Sequence, residues 1–296
     1  MDFGGFAEVM IRISIVVPIW NRVEYLFGCL DSIPTAHDVE IIVVDDGSDV
    51  DVEKVCRCRP DYDRLRFIRQ EHQGVLAARR RGCEKARGEY VWFVDSDDEV
   101  KAIPHIPKAD MIRYKQNYGW MCIGDKIYRR ELALRVFDEI GDLKLNHCED
   151  GIFYLIAKKK AATIIDSDES IYRYVHRGDS ASGRFNPNVI SERELLVDWC
   201  VKLDEHADRS MLSKDAFVAI ACSLCKWPST WKQLEQTCRS LIKSRLSADG
   251  MDEIQNDSYA KKMLFAMRHP LCVLIYRLLK RMLNNYENIE VINLYK

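Results

Sequence analysis

A chain of 296 residues is long enough for one or two domains around a sizeable buried core. With 44 basic against 46 acidic residues the formal net charge is -2, which argues against a nucleic-acid binder working through an overall basic field. Eleven cysteines lack small-scaffold spacing, no charged–apolar–small leader order opens the chain, and no uncharged apolar run could span a bilayer, so a reduced, cytoplasmic setting is expected.

Residues 1–9 read as an extension ahead of the first strand. Strands are then expected at Ile13–Val17, Glu40–Val44, Leu65–Arg69 and Tyr90–Val94, short β-branched or aromatic runs, most of them closed by turn residues. Their near-continuous apolar character suits strands buried on both faces, as in a parallel sheet. Between them, Leu26, Phe27, Leu30 and Ile33 share a helical face. Gly74 to Arg87 forms a second helix, with Val75, Ala78 and Ala86 inward and Arg79, Arg80 and Arg81 around its first turns. Short strands and helices mix from about Asp110 to His176, including a strand at Ser170–Tyr174. Beyond Asn188 the pattern is helical, with Trp199, Trp227 and Trp231 as anchors and Cys222 and Cys225 as core packing. Strand–helix alternation implies an α/β fold whose ligands bind beyond the carboxyl ends of the strands.

Acidic residues gather at those ends. Asp95-Ser96-Asp97-Asp98 closes one strand; crowded carboxylates repel and call for a counter-charge, such as a hard divalent cation shared with substrate phosphates. A polar turn capping a helix is the plainer alternative for an isolated Asp-x-Asp. Asp45-Asp46-Gly47-Ser48 closes another strand, where an Asp could accept a hydrogen bond from a base or ribose, or where Ser48 or Asp49 could cap a helix. No Gly-x-Gly-x-x-Gly follows the first strand and no Walker lysine is present, which removes most support for dinucleotide and P-loop sites.

Six blocks in order carry a resemblance: Ile15-Val-Val-Pro18-Ile-Trp20-Asn21, Val43-Val-Asp45-Asp46-Gly47-Ser48, Gln73-Gly74-Val-Leu-Ala77-Ala78-Arg79, Gly88 through Asp98, Gly124-Asp-Lys126 through Leu132, and Cys148-Glu149-Asp150-Gly151. The chain from 11 to about 183 resembles glycosyltransferase family 2, with the GT-A fold, of the bacterial capsule, lipopolysaccharide and exopolysaccharide type. The resemblance implies a nucleotide-sugar-binding catalytic domain over 11–185 and a helical region over 186–296. It implies that Pro18, Trp20, Asn21 and Asp46 line the nucleoside pocket, with Trp20 where the family more often has Tyr. Arg79, Asp95 and Ser96 would lie close to the nucleotide, Asp97 with Asp95 would hold Mn2+ or Mg2+, and Asp150, with Glu149 beside it, would be the general base. His176 and Arg177 would meet the diphosphate or metal.

Such a site would perform inverting transfer from a nucleotide-sugar, a UDP-sugar first, to a polyprenyl-linked oligosaccharide acceptor. The span 261–283 has six basic residues, none acidic, and an apolar stripe from Leu271 to Met282; it reads as a helix on an anionic membrane or as one docked on the core. Membrane contact would place the protein peripherally on the inner face of the cell membrane. Two rivals are a sugar nucleotidyltransferase, against which Trp20-Asn21-Arg22 stands in place of a Gly-rich loop, and a non-catalytic assembly or docking partner.

Overall fold

The computed structural model describes residues 11–115, 122–143 and 149–175, together with Leu195, Trp199, Phe265, Arg268 and His269. The chain divides into two compact units, Met1–Arg184 and Phe185–Lys296, and the first holds everything described below. The expectations for residues 1–9, His176, Arg177, Cys222, Cys225, Trp227, Trp231 and 261–283 lie outside the described residues.

The first unit is built on a mixed, mostly parallel sheet. Its strands are β1 (Ile13–Ile19), β2 (Val39–Asp45), β3 (Leu65–Arg69), β4 (Tyr90–Phe93), β6 (Met111–Arg113), β7 (Lys126–Arg129) and β8 (Ile164–Asp166). The order is β3-β2-β1-β4-β7-β6-β8, and β7 alone runs against its neighbours. A separate two-stranded piece pairs β5 (Glu99–Val100) with β9 (Tyr172–Arg173), shorter than the five-residue strand expected at Ser170–Tyr174. Four of the expected strands are present to within two residues, and the parallel β1–β4 block follows from their burial on both faces.

Residue alternation sorts the two faces. Ile13, Ile15, Val17 and Ile19 of β1 join Leu26, Cys29 and Leu30 of α1 (Val23–Ser32) in one core, which also takes Val52 and Cys56 of α2 (Val52–Cys56). Val16 and Val44 point the other way, onto α3 (Val75–Lys85), where Gly82 lies so close that a Cβ would meet a Val16 methyl at 2.3 Å. On that face an aromatic cluster of Phe93, Tyr128, Phe137 and Phe153 joins the sheet to α4 (Arg130–Ile140) and α5 (Glu149–Lys160). Acidic residues in the first turn of α5 and three lysines in its last turn match the helix dipole.

The order 3-2-1-4 reverses direction at β1, so the carboxyl ends of β1 and β4 diverge and leave a crevice. Pro18 marks where the ladder opens. Val16 accepts from Val94 on the β4 side and Ile19 accepts from Asp46 on the β2 side, so by alternation Pro18 faces the β4 side, where no amide hydrogen is needed. The helix after β2 begins later than Ser48 or Asp49: Asp51 caps it, accepting from the Lys54 amide at 3.0 Å. Ser48 is held in the turn instead, its amide donating to Asp45 Oδ1.

Candidate active site

Three loops meet at the crevice, after β1, β2 and β4. The loop after β1 carries Trp20, 54% exposed, followed by Asn21 and Arg22, both at positive φ. Asparagine tolerates that conformation; at Arg22 it costs about 1–2 kcal/mol. Asn21 holds the bend by a reciprocal tie: its amide donates to Ser48 Oγ at 2.8 Å, and its Oδ1 accepts from the Asp49 amide at 2.9 Å. Asn21, expected to line the nucleoside pocket, ties the loop after β1 to the turn after β2.

The two aspartates after β2 differ. Asp45 accepts from the Ser48 amide and from Arg69, whose other contacts are the Ser48 and Val50 carbonyls, so it shapes the turn. Asp46 is buried and its carboxylate accepts from Gln70 Nε2 and from the Gln73 and Gly74 amides, while His72 Nδ1 lies 3.1 Å from the Asp46 carbonyl oxygen and 2.9 Å from Oδ2. Three donors meet its two oxygens, and these contacts hold residues 70–74 against the β2 end. Gly47 permits the approach, with φ 76° and a Cβ position 2.7 Å from the His72 amide nitrogen. His72, not singled out by sequence, stacks on Trp20 with ring centroids 4.2 Å apart. Its signal was weak, a His two residues before a glycine that opens a helix.

The acidic turn after β4 is closed by the Asp98 amide on the Asp95 carbonyl at 3.0 Å. Asp95, Ser96 and Asp97 are half-buried, whereas Asp98 is 1% exposed. Beneath the turn lies Cys29, whose Sγ donates to the Asp95 carbonyl at 3.4 Å; burial, then the charges of Asp98, Asp95 and Asp97, push its thiol far up. It is an inert structural thiol.

Arg79 provides the counter-charge. It lies inward on α3 in line with Val75 and Gly82, rather than around the outside with Arg80 and Arg81. Its guanidinium donates from Nη2 to Asp95 Oδ1 at 2.6 Å and from Nη1 to Asp150 Oδ1 at 2.5 Å, with Glu149 Oε1 at 3.9 Å. A cation on an otherwise apolar helical stripe was the legible sign of this role. The residues expected as base and as metal ligand, Asp150 and Asp95, are thus one guanidinium apart although 55 positions separate them. Burial pushes the Asp150 carboxyl up to about 7, against the pull of Arg79 and with the push of Glu149 and Asp95. Its side chain keeps 23% exposure, so it is reachable from the crevice.

Among the described residues no three carboxylate, imidazole or thiol side chains converge into a complete cage for a metal ion. Two carboxylates on one half-buried turn, Asp95 and Asp97, fit a hard cation that would take its other ligands from a diphosphate and water. The Gly124–Leu132 block holds a buried ion pair, Asp125–Lys126 at 2.5 Å. Among the described residues no helix is long and apolar enough to cross a membrane.

Comparison with known proteins agrees with this geometry. Residues 14–109 match the model of the family described as "Glycosyl transferase family 2". The uncharacterized glycosyltransferase EpsJ of Bacillus subtilis is 27% identical over 69% of this chain and 69% of its own. Glycosyltransferase GlyG of Streptococcus pneumoniae is 44% identical over 93 residues, 30% of this chain and 31% of its own. Glycosyltransferase GlyA of the same organism is 42% identical over 93 residues, and the match spans 13% of its length. Among solved structures, S. aureus TarS 1–349 in complex with UDP-GlcNAc has a TM-score of 0.51 at 18% identity over 95% of both chains. The mannosyltransferase PcManGT from Pyrobaculum calidifontis, in complex with GDP-Man and Mn2+, has a TM-score of 0.52 at 14% identity over 90% and 87%. At these identities the likeness is one of fold, and the fold is GT-A.

Proposed function

Since the chain carries a glycosyltransferase family 2 domain, we propose that it transfers a sugar from a nucleotide-sugar to a hydroxyl of a growing bacterial surface glycan, with inversion. The observation that carries this reading is the Asp95–Arg79–Asp150 bridge, which holds a carboxylate with a near-neutral pKa next to a turn suited to a metal–diphosphate. A base of that pKa accepts a proton well near neutral pH.

In this reading Trp20 stacks on the base, and a base N–H takes over one of the donor positions now filled on Asp46. Pro18 leaves room at the crevice floor, and Asn21 supports its rim. Ser96 and Asp95 face the ribose and diphosphate. Asp95 and Asp97 hold Mn2+ or Mg2+, which supplies charge neutralisation for the departing nucleoside diphosphate. Asp150 removes the acceptor proton as the hydroxyl attacks the anomeric carbon; with no covalent nucleophile the configuration inverts, and Glu149 adds negative charge beside the base. His176 and Arg177 are assigned to the diphosphate side.

A UDP-sugar is the favoured donor, supported by the UDP-GlcNAc bound in TarS; GDP-Man in PcManGT makes a GDP-sugar the alternative. The acceptor is proposed to be a polyprenyl-linked oligosaccharide. The region 186–296, through the basic stretch 261–283, would bring the 11–185 domain to the anionic inner face of the membrane.

Asp150→Asn tests the assignment. Transfer should fall by about 10²–10⁴-fold, the worth of a general base, while UDP affinity changes by less than about threefold. Unchanged transfer, or loss of nucleotide binding with it, would remove Asp150 from the role.

A further inference from the structure

Asp98 stands apart from the other three residues of its turn, because both its carboxylate oxygens are directed at the chain around β9. Oδ1 accepts from the Val175 amide at 2.8 Å, and Oδ2 accepts a short hydrogen bond from the Tyr172 hydroxyl. The Tyr172 ring is wedged against Gly124, where a Cβ would come within 2.2 Å of it, and the Gly124 carbonyl is fixed in turn by Trp92 Nε1 at 2.7 Å. Around this centre the two segments are zipped. The β5–β9 pairing sets Glu99 opposite Arg173, the Lys101 amide donates to the Ile171 carbonyl at 2.8 Å, and Lys101 Nζ donates to Ser170 Oγ at 2.8 Å. Arg173 and Glu99 add an ion pair.

We propose that Asp98 is a positioning residue, not a metal ligand: it locks the backbone at Val175 to the acidic turn and thereby fixes one wall of the donor site. The inference rests on the glycosyl-transfer reading for its effect on the donor, but not for the hydrogen bonds themselves. A carboxylate with both oxygens engaged by a hydroxyl and an amide, at 1% exposure, has no face left for a cation.

The test compares Asp98→Asn, Asp98→Ala and Tyr172→Phe in the full chain, beside Asp97→Ala. Three quantities are read: Mn2+ binding by calorimetry, hydrogen exchange in the peptide spanning 170–175, and donor KM against kcat. An Asn side chain still accepts from the Val175 amide, and its Nδ2 can donate to a turned Tyr172 hydroxyl. Asp98→Asn should therefore stay within about threefold of wild type in all three. Asp98→Ala should keep Mn2+ affinity, speed exchange in 170–175, and raise donor KM about tenfold with a smaller change in kcat, the scale of one lost charge-assisted hydrogen bond. Tyr172→Phe should fall between, and it retains the lock at Val175 if the alanine variant fails to fold. Loss of Mn2+ affinity in Asp98→Asn, as in Asp97→Ala, would overturn the proposal by making the carboxylate a ligand. Unchanged exchange and KM in Asp98→Ala would overturn it by showing the lock to be idle. If the wild-type protein binds no nucleotide, the glycosyl-transfer reading and the donor half of the proposal fall together, while the exchange measurement still decides whether Asp98 holds Val175.

Discussion

The two ends of the central strands both bury carboxylates beside arginines, and they do opposite things with them. At the amino end Glu40 is almost fully buried and accepts from Ser14 Oγ at 2.5 Å, the Arg87 amide at 2.5 Å, Arg87 Nε at 3.0 Å and Arg66 at 2.6 Å. Burial alone would raise its pKa, but these hydrogen bonds outweigh it and hold the carboxyl below the usual range. At the carboxyl end Asp95, Glu149 and Asp150 share one guanidinium. Burial pushes Asp150 up to about 7. A carboxylate supplied with all its donors is architecture. A group of carboxylates outnumbering its cations is a site waiting for positive charge.

Arg79→Met should give the largest effect. Removing one cation from a buried cluster costs about 3–5 kcal/mol, and Mn2+ should recover part of that by binding the folded state. Thermal unfolding with and without Mn2+ checks it; a variant as stable as wild type without metal would break the contrast between the two ends. Glu40→Ala should cost about 1–3 kcal/mol through the donors left unsatisfied, yet leave UDP affinity unchanged. A drop in UDP affinity would mean that the amino end is not merely structural.

Trp20→Ala should weaken UDP binding by about 1–3 kcal/mol, the worth of one base–aromatic stack, with little change in stability because the ring is more than half exposed. Unchanged affinity in a titration would place the base elsewhere.

The pH dependence of metal-free stability gives the smallest and most discriminating effect. A lowered carboxyl such as Glu40 contributes stability above its unfolded pKa of about 4.3 that is lost as pH falls below it. Asp150, raised to about 7, does the reverse: between about pH 4 and 7 the folded protein holds a proton that the unfolded chain has released, so stability declines as pH rises through that window. Glu40→Gln should therefore flatten the acid-side loss, and Asp150→Asn the decline toward pH 7. Urea unfolding across pH 3–8 reads both, and matching slopes in the two variants would contradict the contrast.

The sequence made the parallel block legible because strands buried on both faces have nothing polar to confuse their pattern, as Ile15-Val-Val and Glu40-Ile-Ile-Val-Val show. It also made legible which strand ends carry acid, since Asp-rich turns stop such runs abruptly. Neighbouring residues of the same type were told apart only by the family resemblance, which chose Asp46 and Asp97, and not by local pattern. Asp45 from Asp46, and Asp98 from Asp97, differ only in which way each side chain turns and which distant donors it meets: Arg69 for Asp45, residues 70–74 for Asp46, and Tyr172 and Val175 for Asp98. The same holds for Arg79, whose helical position hinted at burial while its partners lie 16 and 71 residues away. Short strands such as β5 and β9 are set by pairing with each other, not by local pattern.

The most direct test of the central claim is calorimetric titration of UDP and of GDP, each with and without Mn2+, into the wild-type protein, Asp97→Ala and Glu40→Gln. Metal-strengthened binding of one nucleotide, lost in Asp97→Ala and intact in Glu40→Gln, is the predicted result, and the nucleotide bound names the donor class. Absence of metal-linked binding to either nucleotide, or binding that survives Asp97→Ala, would contradict the assignment of the carboxyl end as a metal–nucleotide site.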